Sequence, residues 1–374
     1  MKRSLGRCFN VNLHRHAQDK VEHVLRTAGV WTKGYRPWDL IVYDSRFYDR
    51  VMTQGALGLG ESYVEGWWDC ADLAQLFCKL LRARVDRGCA MNWIDLLAYL
   101  KARFANLQGK PRAAENVHRH YDRGNDLYRN MLGQWMLYSS ADWENAGTLD
   151  EAGEGKFDFV CRKLNLRAGQ TILDIGCGWG GFAKFAAQRR GVHVVGITLS
   201  TEQVSLAREM CSHLPVEILN QDYRDLTGSF DHVVSLGMFE HVGHRNYRRY
   251  MQIVRRCLRA GGNFYLNTIG ADESGYRLNL WTDKYIFPGG VLPSMAQIGR
   301  AIDGLFVIEE LRNWAEFYDR TLVAWFEKFH SNWNQLKNRY NEQFYRMWKY
   351  YLLSSAGAFR SGALQDWQIM LSCR

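Results

Sequence analysis

The stretch "LDIGCGWGGF" (173–182) limits the possible folds of this chain more than any other. Gly176, Gly178 and Gly181 stand in GxGxxG spacing. The apolar run "TILDIG" (171–176) reads as a buried strand, and a helix is predicted through Phe182–Arg189. A strand, a glycine turn and a helix in that order form the first unit of an open α/β sheet. The alternation then repeats. "VHVVGITL" (192–199), "VEIL" (216–219), "HVVSLGM" (232–238) and "NFYLNTIG" (263–270) read as strands. A helix is predicted from Ser200, which has capping-box spacing to Gln203, and another over 246–258. Such a sheet is parallel, carries helices on both faces, and binds ligands at the carboxyl ends of its strands. Glu240 in "SLGMFEHVG" (235–243) follows the fourth strand, on that edge. An acid after an apolar run is costly to bury unless something pairs with it. Beyond residue 271 the alternation stops, and the remainder reads as irregular segments and long helices.

The glycine loop alone fits a dinucleotide, S-adenosylmethionine or tight packing with no ligand. A dinucleotide site asks for an acid at the end of the second strand, where it bonds the ribose. Here that strand runs into "GITLSTEQ" (196–203), which offers Thr198, Leu199 and Gln203 but no acid on the strand. Asp174 lies on the first strand instead, and "QDYRDL" (221–226) places Asp222 and Tyr223 where an adenine would lie. These features favour S-adenosylmethionine, whose carboxylate suits a helix N-terminus.

The chain has 374 residues, room for two domains. Before the polar stretch "FANLQGKPRA" (104–113) the periodicity is helical, as in "LAQLFCKLLRARV" (73–85) and "MNWIDLLAYLKARF" (91–104). We expect a smaller, mostly helical N-terminal domain over 1–108 and a Rossmann-like class I methyltransferase domain over 109–374. Net charge +9 suits an anionic partner, nucleic acid or a membrane face. Basic residues fall between apolar ones in "RRYMQIVRRCLR" (248–259), as on a solvated helix face, and no base-reading motif is present. That ranks a membrane surface above nucleic acid. No apolar run approaches a membrane span and the first residues form no apolar leader, so a cytoplasmic protein meeting lipid from its surface is expected. Nine cysteines without a CxxC pair read as free thiols in a reducing compartment. Eleven histidines without HExxH or a Cys/His cluster argue against a metal site. The 14 Trp and 19 Tyr fill large cores or line a pocket for a greasy or cationic ligand.

Together with "GALGLGESYVEGWWDC" (55–70), "HYDRGNDLY" (120–128), "GMFEHVG" (237–243), "KYIFPGGVLPS" (284–294) and "AGAFR" (356–360), these stretches resemble the bacterial cyclopropane-fatty-acyl-phospholipid synthases. The resemblance runs in order along nearly the whole chain and is to the long form with an N-terminal domain. It implies transfer of a methylene group from S-adenosylmethionine to the cis double bond of an unsaturated phospholipid acyl chain. In that reaction the alkene takes the methyl group, a carbocation forms, and a base, in the family a bound bicarbonate, removes a proton as the ring closes. The resemblance also implies a homodimer on the inner membrane face. An isolated alkene is a weak nucleophile and a carbocation must be kept from water, so positioning and aromatic walls suit this chemistry.

Matching positions put Tyr138, Ser139, Gly176, Gly178, Gly180, Thr198, Leu199, Gln203 and Tyr223 against the cofactor, beside Asp174 and Asp222. They build a bicarbonate pocket from Ser140, Glu240, Asn267, Ile269 and Tyr318, with Glu240, Tyr318 and Asn267 catalytic. Three positions depart from the family. "HTIG" reads "NTIG" at Asn267, "YSCA" reads "YSSA" at Ser140, and Ser355 replaces a frequent cysteine. An asparagine orients an anion but relays no proton near neutral pH. His241 is either a substitute relay or a structural histidine in a tight turn. His120 and Tyr121 either cover the active site or belong to a helix cap. Two alternatives to cyclopropanation stand: a methyltransferase giving a non-cyclic methylated or methylene lipid, and a lipid-binding homologue without turnover.

Overall fold

A computed structural model describes residues 2–85, 108, 124–275 and 278–373. A two-residue ribbon pairs β1 (Ile41–Val42) with β2 (Trp68–Asp69) near the N-terminus. The main sheet has seven strands: β3 (Thr171–Ile175), β4 (His193–Thr198), β5 (Val216–Asn220), β6 (Phe230–Leu236), β7 (Leu258–Ala271), β8 (Phe306–Asn313) and β9 (Leu364–Cys373). Their spatial order is β5-β4-β3-β6-β7-β9-β8. The first five run parallel, and β9 is antiparallel to both its neighbours. The fold is α/β, as the alternation predicts, with those five strands close to their expected bounds.

β8 and β9 correct the sequence reading, which left only irregular segments and helices after residue 271. β8 is an edge strand with mostly exposed, polar residues, so it carries no apolar run. β9 is buried, but Asp366 and Gln368 interrupt its apolar pattern. In both cases the partner strands, not the local sequence, make the strand.

Local signals set the helix ends around the sheet. Gly191, at φ +64°, stops the helix Gly181–Arg190. Ser200 caps the helix Thr201–Met210 by accepting the Gln203 N–H at 3.2 Å. The Gln203 carboxamide meanwhile accepts the Thr198 hydroxyl at 2.6 Å, so this side chain turns toward the sheet edge.

Among the described residues, the N-terminal helices Lys2–Thr27, Arg46–Val64 and Leu73–Arg82 share their core with later helices. Tyr63, Trp68, Leu73 and Leu76 share one buried cluster with Trp325, Trp348, Tyr350 and Phe359, from the long helices Ala315–Ser331 and Glu342–Ser361. Arg346 ties the two regions, donating to Tyr63 O at 2.7 Å, Trp68 O at 2.9 Å and Asp69 at 2.9 Å. The 91–104 segment, His120, Tyr121 and the 104–113 linker apart from Gln108 lie outside the described residues. Among the described residues no helix is long and apolar enough to cross a membrane.

Candidate active site

The carboxyl ends of β3, β4 and β6 open into a cleft of about 1180 Å³, its mouth included. Tyr138, Ser139, Asp174, Gly176, Gly178, Thr198, Leu199, Gln203, Asp222 and Tyr223 line it. Gly180, expected among them, stands behind the wall. It has φ +81°, and a Cβ there would lie 3.1 Å from the Ala207 Cβ and 3.2 Å from the Cys211 sulfur. Its bareness serves helix packing. Gly176, at φ +84°, has a different role: a Cβ would come within 2.7 Å of Met238, in the loop that carries Glu240. Glycine there lets the two loops of the cleft meet.

Three buried polar atoms on the wall have no hydrogen-bond partner among the described residues: Asp174 Oδ2, Ser139 Oγ and the Tyr223 hydroxyl. Burial pushes the Asp174 carboxyl up to about 7 and the Tyr223 phenol up to about 12. Unsatisfied buried groups in a cleft are what a bound ligand satisfies, and a buried carboxylate asks for a cation. S-adenosylmethionine fits this wall, since it carries an ammonium and a sulfonium beside hydroxyls that match Ser139 and Tyr223. Asp222 accepts from the Arg224 backbone at 2.8 Å and side chain at 2.7 Å. Arg224 also donates to Gln108 O at 2.7 Å, and the Gln108 carboxamide reaches Gly289 O at 2.5 Å. Sequence reasoning misses Gln108, Arg224, Trp179 and Gly289 as lining residues, although Trp179, Arg224 and Gly289 lie inside the quoted motifs, because only the fold shows which motif residues face the cleft.

The aromatic residues supply part of the surroundings. Tyr128 packs on Trp179 at 4.5 Å and on Tyr138 at 5.5 Å, and Tyr138 lies 5.1 Å from Trp325. Tyr318 is stacked on Phe359 at 4.5 Å and meets Trp325 edge-on at 6.0 Å. Tyr318, Tyr138 and Ile269 belong to the same apolar cluster.

Glu240 lies in the turn Phe239–His241, between cleft-lining Met238 and His241. Its Oε1 accepts the Ile269 N–H at 2.6 Å. Its Oε2 is buried with no partner among the described residues. The nearby Thr268 hydroxyl donates to Ile269 O at 3.1 Å. Burial pushes the Glu240 carboxyl up to about 7; the Ile269 N–H, its own backbone N–H and the Thr268 side chain oppose this, and the Asp366 charge adds to it. Burial holds His241 down at about 4, so it is a neutral imidazole near neutral pH.

Ser140 and Asn267, expected beside Glu240, both hydrogen-bond Asp366. Ser140 donates to Asp366 Oδ2 at 2.5 Å, and Asn267 donates to Oδ1 at 2.7 Å. Gln368 adds a third donor to Oδ2 at 2.6 Å. Below them the ammonium of Lys156, fully buried, donates to Gln368 at 2.8 Å, Asn267 at 3.3 Å and Ser140 at 3.4 Å. Burial pulls Lys156 down to about 8, with Asp366 and Asp142 opposing. Burial pushes Asp366 up, with Lys156 and its hydrogen-bond donors pulling back. Neither Lys156 nor Asp366 is visible to sequence reasoning. The signal for Asp366 was an acid inside the run "LQDWQIML" (364–371), which counts only once that run is known to be a strand.

A sheet of this order, opening at its strand ends into a cleft over a glycine loop, defines a Rossmann-like S-adenosylmethionine-dependent methyltransferase. Relatives narrow the class. The family model for mycolic acid cyclopropane synthetase matches residues 108–369, and the chain belongs to that family. It is 45% identical to the cyclopropane-fatty-acyl-phospholipid synthase of Escherichia coli (strain K12) over 349 residues, 93% of this chain and 91% of that protein. That match is longer than the family-model match and so takes in N-terminal helices. The chain is 40% identical to a probable fatty acid methyltransferase of Pseudomonas putida over 273 residues, 69% of this chain and 68% of that one. Among solved structures, mycolic acid cyclopropane synthase CmaA1 complexed with SAH and CTAB superposes with a TM-score of 0.65 at 30% identity. That superposition covers 69% of this chain and 97% of CmaA1.

Proposed function

We infer that this enzyme moves a one-carbon unit from S-adenosylmethionine to the cis double bond of an unsaturated phospholipid acyl chain, closing a cyclopropane ring. The carrying observation is Glu240: a buried carboxyl with one unpartnered oxygen, flanked by residues of the methyl-donor cleft. The extent of the match to a cyclopropane-fatty-acyl-phospholipid synthase supports the same reading. When bound, S-adenosylmethionine supplies an electrophilic methyl on a sulfonium. Asp174 offers charge to its ammonium, Asp222 and Tyr223 face its nucleoside end, and the glycine loop lets it approach the backbone. The rings of Tyr138, Trp325 and Tyr318 shield a developing cation from water. Labelled S-adenosylmethionine incubated with vaccenoyl-phospholipid vesicles should yield cyclopropane methyl esters. Only non-cyclic methylated chains would overturn the reading and favour plain C-methylation. That second reading has its own support in the loss of a titratable group at Asn267 and in the fatty acid methyltransferase relative.

The proposal includes a homodimer resting on the inner membrane face. Trp31, Tyr35, Ile41 and Tyr43, all within the 31–43 segment, are exposed, Tyr35 fully, and Arg26 lies over the Trp31 ring. Aromatic rings beside basic side chains suit the bilayer interface. Replacing Trp31 and Tyr35 by serine should lower co-sedimentation with anionic vesicles several-fold while S-adenosylmethionine binding stays unchanged. Light scattering tests the dimer.

A further inference from the structure

We infer that Glu240 is itself the proton acceptor in this chain and that turnover needs no bicarbonate; this rests on the cyclopropanation reading. The argument is an accounting of donors. Ser140 has one O–H and gives it to Asp366 at 2.5 Å. Asn267 gives one amide hydrogen to Asp366 at 2.7 Å and points the other at Trp367 O, 3.4 Å away. The three hydrogens of the Lys156 ammonium go to Gln368, Asn267 and Ser140. Ser140 and Asn267, two of the three positions that depart from the family, therefore have their side-chain donors engaged by groups of this chain.

The carboxylate that saturates them also opposes an external anion. Asp366 pairs with Ile269 across β7 and β9, and Ile269 is the residue whose N–H holds Glu240. An anion arriving here meets Asp366 on the neighbouring strand, Glu240 on the adjoining turn, and no spare donor from Ser140 or Asn267. Like charges at such range are repulsive, and more so in a buried site. Bicarbonate does not fit the residues present, and no step is assigned to it.

Glu240 keeps what the anion would have brought. Its Oε2 is an unpartnered acceptor on a residue only 8% exposed, fixed in place through Oε1. The alkene π pair forms a bond to the sulfonium methyl carbon as the carbon–sulfur bond breaks, leaving S-adenosylhomocysteine and a cation on the acyl chain. Glu240 Oε2 takes a proton from the added methyl, and the released C–H pair closes the ring. Glu240 returns the proton to water after the product leaves.

The test uses the full chain, labelled S-adenosylmethionine and vaccenoyl-phospholipid vesicles in buffer stripped of carbon dioxide, with and without millimolar bicarbonate. Cyclopropane formation is expected to agree within about twofold between the two, a difference well under 1.4 kcal/mol. Glu240→Gln is expected to lose about a hundredfold or more of turnover, with no rescue by bicarbonate and cofactor binding intact. Cyclopropane formation that collapses without bicarbonate and returns with it overturns this inference and leaves the cyclopropanation reading standing. Production of only non-cyclic methylated lipid overturns both.

Discussion

Two buried polar regions lie in one sheet, one around Asp174 on β3 and the other around Asp366 on β9, and behave in opposite ways. Around the cleft, Asp174, Ser139 and Tyr223 carry buried atoms without partners. Around Asp366, the carboxylate, amide, hydroxyl and ammonium groups close on one another. Burial alone does not separate them, since Asp174 is 2% exposed and Asp366 0%. What differs is hydrogen-bond satisfaction. An unsatisfied buried group holds free energy that a ligand releases, whereas a satisfied cluster spends it on architecture. Glu240 belongs to both, with one oxygen tied to Ile269 and the other unpartnered.

This contrast breaks most visibly at Lys156. Lys156→Met removes the cation from a buried cluster and leaves Asp366 uncompensated, which should cost about 3–5 kcal/mol of stability by urea unfolding. A loss below about 1 kcal/mol would mean the cluster is not a closed unit. On the cleft side, Asp174→Asn should weaken S-adenosylmethionine binding about tenfold or more by calorimetry, the scale of a charge-assisted contact.

The same substitution should stabilise the ligand-free protein, with a defined pH dependence. Burial pushes the Asp174 carboxyl up to about 7 in the fold, against an ordinary value of 3.8. The neutral acid is favoured in the fold, so wild-type stability is fully present below the lower value and is lost as pH rises through the upper one. The stability gap between Asp174→Asn and wild type should vanish below about pH 3 and reach at most about 4 kcal/mol above pH 7. A gap independent of pH would remove ionised Asp174 as its cause. The smallest effect is expected at Gly180. Gly180→Ala should cost about 1–2 kcal/mol of stability for its positive φ while S-adenosylmethionine affinity holds. Reduced affinity with stability unchanged would return Gly180 to the ligand wall.

The sequence exposes the parts of this molecule that local rules specify. The five parallel strands show as apolar runs, the glycine loop as a spacing, and Glu240 as an acid out of place on a ligand edge. Lys156 sits in "LDEAGEGKFDFVCRK" (149–163), where it looks like any basic position on a solvated helix. Only β9, folding back more than 200 residues later, makes it a core residue. Ser140 and Asn267 were legible as departures, but their new partner was not, because Asp366 lies on the strand whose pattern is broken by Asp366 itself. Gly180 is the opposite case. Its motif is local, and its reason, Ala207 and Cys211, is not.

The position of β9 also has a consequence in time. It is synthesised after β8 yet lies between β8 and β7. When β8 leaves the ribosome its neighbour in the finished sheet does not exist, and Lys156 has no countercharge from Asp366. Joining Ser140 to Asp366 closes a separation of 226 residues, a slow event for any chain. Pulse-labelled amide exchange should therefore find β9 protected after the parallel strands. The bonds of Ser140 and Asn267 to Asp366 form only when that strand inserts, so the polar cluster next to Glu240 should be completed after the strands of the methyl-donor cleft have paired.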